Sequence, residues 1–411
     1  MAIQTSRLLR FAALPVLFAL ARFLETTRPV PFFQLLNFIV IFVALVVLVS
    51  LSRGKLRDGL LVLSALLLGV CIIEGVATFV EPKMRRDMAV ELIAPRPILG
   101  WGPGGPGIFH DEKRDPETGA PIYSVDYTIG SDLSRRTLSG DGGPAIVFFG
   151  DSMTFGQGVN DKDTLPQSFA DELGRKQKVL NLAYMGYGPQ HFLRALQSGA
   201  FDELFARQVR LFVFMTSAWH AERTSCKASW VAPAPRYILS NEQLVFSGEC
   251  AGGSDVSGKL RLLGKKWCND TAFCRVFLQP IISRADHDDV ELYLRILLAA
   301  VELAKEKYGV QTLIPYLPTE GYLPRTGFTD AEIMKRLQDG GALVVDVSLR
   351  DEKAKGSIIE IPGDGHPTAL ANRARASVLR DYLMRHRPEI FLHDEHSAVG
   401  GLPSDIGFTE R

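Results

Sequence analysis

The chain has 411 residues, and its 46 Lys plus Arg balance 46 Asp plus Glu, so the formal net charge is zero. That balance excludes a general nucleic-acid binder, which needs a basic excess to neutralise phosphates. Hydrophobic residues make up 46% of the chain and crowd into its first eighty or so positions, which separates a membrane part from a water-exposed part.

In chain order, residues 8–24 form the weakest apolar stretch, with Arg10, Pro15 and Arg22 inside it. It reads as a short uncleaved span or an interfacial helix. A signal peptide is the competing reading, but no small-x-small cleavage site follows. Residues 32–52 carry no charge and are long enough to cross a ~30 Å hydrocarbon layer. Residues 59–80 form a second span, interrupted by Glu74 near its outer end, which reads as an interfacial residue. The loop 53–58 gathers Arg53, Lys55 and Arg57. By the positive-inside rule it is cytoplasmic, and everything after residue 86 is extracytoplasmic. Lys83, Arg85 and Arg86 pull the other way, but short-loop charges dominate orientation. Residues 1–86 therefore read as an anchor of two or three helices in the inner (cytoplasmic) membrane, with the remainder in the periplasm of a Gram-negative host.

Residues 87–140 are a Gly/Pro-rich lead-in, from "PRPILGWGPGGPG" to "YSVDYTIGSDLSRRT", expected to hold a few strands. From Pro144, apolar runs alternate with amphipathic stretches. The runs are "AIVFF", "VLNLA", "LFVFM", "TLIPYL" and "LVVDV". Runs rich in Val, Ile and Phe read as strands buried on both faces, and Asp346 in the last of them reads as structural. Helical patterns fall at 164–176, with Thr164 as N-cap, at 288–308 and at 368–386. This alternation predicts an α/β domain over 141–388: a parallel sheet of about five strands flanked by helices. An insertion at 221–285 is expected to be irregular with short strands. The tail 389–411 is polar, without apolar period, and is expected to be loose.

Four of the five cysteines, Cys226, Cys250, Cys268 and Cys274, lie in the insertion, and their spacing does not resemble zinc pairs. Two disulfides in an oxidising compartment fit better than free thiols. The connectivity closing the shortest loops is Cys226–Cys250 with Cys268–Cys274. No metal or cofactor is expected.

The stretch "PAIVFFGDSMTFGQGVN" ends a strand and turns at Gly150-Asp151-Ser152. In an open parallel sheet, ligands bind beyond the carboxyl ends of the strands, which is where this serine falls. A serine hydroxyl needs a histidine base and oxyanion donors to act as a nucleophile. Here the sequence resembles the SGNH, or GDSL-type, serine hydrolases. "FFGDSMTFGQGV" is similar to their first block, "NLAYMGYGPQ" to their second, and "GDGHPTALANRARASVLRDYL" to their last. The resemblance spans about residues 141–388 and implies the family's flavodoxin-like fold. It implies Ser152 as nucleophile and oxyanion donor, His366 as base and Asp364 as the group orienting His366. Asn181 and Gly186 of the second block are expected at the oxyanion or substrate, Gly186 through its N–H.

Two departures from the family pattern stand out. Trp219-His220 falls where the third block has Asn-Asp, so either the oxyanion hole has only two donors or His220 or Ser217 replaces the missing one. Asp364 also lies two residues before His366, where the family has three. The resemblance implies a Ser-His(-Asp) acyl-enzyme hydrolase or acyltransferase. Its membrane-tethered members suggest O-acetyl esters of cell-surface or exported carbohydrate as substrate, with a membrane partner protein supplying the acyl group in a transferase. The alternatives are a lipid-ester hydrolase at the bilayer surface and a degenerate domain that binds glycan in an export or assembly complex.

Overall fold

The structure is a computed structural model that describes residues 2–26, 33–81, 85–140, 143–205, 209–252, 256–319 and 321–391. Lys83 and all of the polar tail beyond residue 391 lie outside the described residues.

Three helices lead the chain: α1 (Ala2–Thr26), α2 (Phe33–Leu51) and α3 (Gly54–Val80). They pack in sequence order, α1 on α2 and α2 on α3. Residues 34–51 and 54–80 are long and apolar enough to cross a membrane. α1 carries Pro15 in its interior.

The lead-in folds into five strands. They are β1 (Arg85–Met88), β2 (Ala94–Arg96), β3 (Gly100–Gly102), β4 (Gly107–Arg114) and β5 (Pro121–Ile129). β2 and β3 pair antiparallel, and β4 pairs antiparallel with both β1 and β5. On β5, Tyr123, Val125, Tyr127 and Ile129 alternate inward and join the main core, so the lead-in is packed onto the domain that follows.

That domain carries a five-stranded sheet in the order β12-β11-β8-β6-β7. Its strands are β6 (Ala145–Phe149), β7 (Val179–Asn181), β8 (Val209–Phe214), β11 (Thr312–Tyr316) and β12 (Leu343–Asp346). Every pairing is parallel. Both faces are covered, which is why the strands are continuous apolar runs. Val147, Phe149, Phe212 and Phe214 face a core shared with Phe192, Leu193, Leu294 and Leu297 of the helices Pro189–Ser198 and His287–Tyr308. Ile146, Phe148, Leu211 and Val213 face the opposite core, against Phe169, Leu379 and Leu383 of the helices Leu165–Glu172 and Ala369–His386. Thr164 and Thr368 cap the latter two helices by accepting the N–H of Gln167 and Ala371. The sheet starts at β6 and grows to either side of it, so the order of winding reverses at β6, and a crevice opens between β6 and β8 at the carboxyl ends.

The insertion is more regular than its sequence suggests. It contains the hairpin β9 (Pro235–Ser240) and β10 (Gln243–Glu249), a 15-residue helix Val256–Asp270, and a helical turn over 274–282. Disulfides join Cys226 to Cys250 and Cys268 to Cys274. The second bridge closes the corner between that helix and the turn. Cys71, in α3, is free and buried.

Candidate active site

Ser152 opens the four-residue helix that follows β6, with Asp151 as N-cap accepting the Met153 N–H. His366 lies just before the last helix, whose cap is Thr368. The two meet across the crevice: His366 Nε2 is 2.8 Å from Ser152 Oγ, and His366 Nδ1 is 2.5 Å from Asp364 Oδ2. A carboxylate only accepts, so Nδ1 carries the proton and Nε2 presents its lone pair to the serine hydroxyl. The short Asp-to-His spacing is absorbed by Gly365 at φ +88°, where the chain folds back tightly enough for residues 364 and 366 to touch. Hydrogen bonds from Gly365 N to Ile361 O and from Ile361 N to His366 O close the same turn.

Asp364 has a second partner that sequence reasoning missed. Lys113 Nζ, from β4 of the lead-in, donates to Asp364 Oδ1 at 2.6 Å, and both side chains are buried. Burial would raise the Asp364 carboxyl, but the hydrogen bond from His366 and the Lys113 ammonium outweigh it and hold the group at about 2. Asp364 is therefore ionised and fixed between two donors.

Gly186 follows β7 at φ +80°, a conformation that disfavours any side chain. A Cβ there would approach Trp230 Nε1 to 3.1 Å and Trp101 Cζ2 to 3.2 Å. Trp101 Nε1, from β3 of the lead-in, donates to Met185 O at 2.8 Å. In a trans peptide the carbonyl and the following N–H point oppositely, so this bond aims the Gly186 N–H away from Trp101. Ser152, Gly186 and His366 line one cavity of about 470 Å³, together with Ile93, Trp101, Gln157, Met185, Arg223, Trp230 and Pro233.

Neither expected replacement for the third-block donor faces this cavity. Ser217 Oγ donates to Leu317 O. His220 is buried behind Asp151, with Nε2 at 3.2 Å from Asp151 Oδ2 and Nδ1 at 2.8 Å from Thr216 Oγ1. Burial, reinforced by the Arg223 cation, lowers its pKa to about 4 against the pull of Asp151, so it is neutral. Asn181 is likewise internal. Its amide nitrogen lies 3.4 Å from Phe155 O and its oxygen accepts the Ala183 N–H at 3.2 Å, so it braces the β6 and β7 turns rather than meeting a ligand. The residue that does reach the cavity from the β8 end is Arg223. Its Nη1 donates to Asp151 Oδ2 at 2.9 Å and to Tyr187 O, and the residue lines the cavity. Burial opposes the Asp151 charge, but Arg223 and the His220 hydrogen bond hold its carboxyl far below the usual range.

A third lead-in residue supports the serine turn. Arg135, fully buried, donates to Phe155 O and Gly156 O at 2.6 Å each and to Val159 O at 2.7 Å, and pairs with Asp161. The signal for Arg135, Lys113 and Trp101 was absent from the chain, since each is an ordinary residue in a strand-rich segment far from the motifs.

No family model matches the chain, and no curated protein matches it. Solved structures do. A putative lipolytic protein of the G-D-S-L family from Desulfitobacterium hafniense DCB-2 is 12% identical, at a TM-score of 0.34, over 58% of this chain and 99% of that one. TesA is 14% identical, at 0.35, over 59% and 98%. The lipase Lip_vut3 from a goat rumen metagenome is 15% identical, at 0.29, over 58% and 97%. At these identities and TM-scores the likeness says nothing about activity, which has to come from the residues.

Proposed function

We propose that the protein is a membrane-anchored serine ester hydrolase or O-acyltransferase that works through an acyl-enzyme on Ser152. The observation that carries this reading is the continuous relay Ser152–His366–Asp364–Lys113 at the edge of a cavity that also holds Gly186 and Arg223. His366 Nε2 takes the hydroxyl proton as Ser152 Oγ bonds to the acyl carbon. The carbonyl oxygen, now negative, faces the Ser152 and Gly186 N–H groups and the Arg223 cation. His366 then gives the proton to the departing alcohol as the ester bond breaks. Water, or a sugar hydroxyl in a transferase, reverses these steps and frees the serine. A glycan-binding role alone leaves the buried Lys113–Asp364 pair without a purpose.

The substrate proposed is an O-acyl, chiefly O-acetyl, ester of cell-surface or exported carbohydrate. The cavity volume falls in the roughly 300–1,000 Å³ range of small-molecule sites. Trp230, 53% exposed at its rim, offers a face for a sugar ring. The basic loop 53–58 supports an extracytoplasmic position, and the two disulfides suit an oxidising compartment. Lipid esters are the second reading, favoured by the apolar wall of Ile93, Met185 and Pro233. Release of acetate from O-acetylated polysaccharide, compared with hydrolysis of phospholipid or monoacyl ester in micelles, separates the two. No turnover of either, nor of p-nitrophenyl acetate, contradicts the enzyme reading.

A further inference from the structure

The helix Val256–Asp270 turns an unusual face outward. Leu260, Leu263 and Trp267, spaced as i, i+3 and i+7, are all exposed, and so are Phe277, Ile281 and Ile282 after the Cys268–Cys274 corner. Exposed Lys259 and Lys266 flank the first face. The opposite face is tied down: Cys268 is buried, and Lys265 Nζ donates to Cys226 O at 2.6 Å and to Ala228 O at 3.1 Å. An apolar stripe bordered by lysines is the pattern of a helix lying in a lipid interface.

The place of this corner in the fold names the partner. Ala272 N and Phe273 N, the free donors at the start of the helical turn, point at Glu74 of α3, at 2.7 and 3.0 Å from its two carboxylate oxygens. Glu74 is 2% exposed. An anionic cap satisfies a helix N-terminus, here supplied by another element. Arg275 adds a two-point ion pair with Glu81, just past the end of α3, at 2.5 and 2.8 Å. Glu74 lies six residues before Val80, so the corner is held about 9 Å inside the end of α3. That depth matches the roughly 5–10 Å at which interfacial helices bury their apolar face.

We infer that the corner 256–282 is a membrane-seated element that lays Leu260, Leu263, Trp267, Phe277 and Ile281 into the outer face of the bilayer beside α3. The inference rests on the reading of α2 and α3 as membrane spans. It explains the carboxylate within α3: Glu74 serves as the cap that fastens this element to the span. It also fixes the cavity relative to the lipid, because the carbonyls held by Lys265 belong to the segment that leads directly to Trp230 at the rim.

The test uses the full-length chain in vesicles of phosphatidylcholine and phosphatidylglycerol, with and without lipids brominated on the upper acyl positions. The chain has four tryptophans, none of them in α1 to α3, so the Trp267 signal is the difference between wild type and Trp267→Phe. Brominated lipid is expected to quench about half or more of that difference signal. A Leu260→Ser, Leu263→Ser variant should lose most of this quenching. Equal quenching in wild type and Trp267→Phe overturns the inference, as does full quenching in the double serine variant. Alkaline extraction reports on the spans separately. Protein released by alkali contradicts the anchor, whereas protein that resists alkali with Trp267 unquenched contradicts only the membrane-seated corner.

Discussion

The parallel sheet and the lead-in meet at one cavity, but they bring different things to it. The carboxyl ends of β6, β7 and β8 and the turn before the last helix carry the polar groups proposed to meet a substrate: Ser152, Gly186, Arg223 and His366, all of which line the cavity. The lead-in carries groups that hold those in place. Lys113 fixes Asp364, Trp101 aims the Gly186 peptide, and Arg135 clamps the turn after Ser152. Sheet ends in open α/β folds are where reacting groups collect, because strand backbones fix their positions and leave the termini open to solvent. The preceding segment packed over this end adds wall to the cavity through Ile93 and Trp101, and its buried polar side chains act through the groups already there.

The largest effect should come from the sheet side. Ser152→Ala and His366→Ala should each remove nearly all turnover of a small acetyl ester, by about 10⁴-fold or more, and the double variant should be little worse than either. Additive losses would show that the two do not act as one unit. Gly186→Ala should follow, lowering kcat by roughly 10²–10³-fold, since the new Cβ meets two tryptophans at a φ of +80° and displaces the N–H donor. The lead-in comes next. Lys113→Met should lower kcat about 10–100-fold with KM little changed, as Asp364 loses the partner that keeps it ionised and oriented. If KM rises while kcat holds, Lys113 contacts substrate and the division between the two regions fails. Arg223→Lys should cost less than Arg223→Met, because it keeps the charge facing the oxyanion.

On the sheet side, stability as well as turnover depends on buried groups. His220 beside β8 is held neutral at about 4, and His191 on the helix after β7 at about 3, both chiefly by burial. Unfolded histidines take up protons near 6.5, so the folded state binds fewer protons between pH 6.5 and those values. Stability is therefore complete above about pH 6.5 and lost on acidification, by up to about 1.4 kcal/mol per pH unit for each histidine. Asp364, held down, adds a further loss only as pH falls from about 4 towards 2. Urea midpoints between pH 7 and 4 check this; a flat profile contradicts the burial of neutral histidines.

The sheet was legible because its strands are buried on both faces and so appear as unbroken apolar runs bounded by capped helices. The Ser152–His366 pair was legible because glycines and a cap mark the turns that hold it. Which residues of "FMTSAWHAER" turn toward the cavity is set by packing and not by pattern, so Arg223 is not legible in the sequence and the inward burial of His220 and Asn181 is not either. Lys113, Trp101 and Arg135 act across more than twenty, and in one case two hundred, residues of chain, a separation no local pattern encodes. The helix Val256–Asp270 is not legible in the sequence because its apolar stripe faces outward in a segment rich in glycine and cysteine.

The central claim is that Ser152 is a nucleophile activated by His366. A fluorophosphonate probe applied to the full-length protein, followed by peptide mass analysis, tests it most directly. The account predicts one phosphonylated site, on the peptide containing Ser152, lost in Ser152→Ala and strongly slowed in His366→Ala. Labelling that persists in Ser152→Ala, or an unlabelled Ser152 in the wild-type protein, would contradict it.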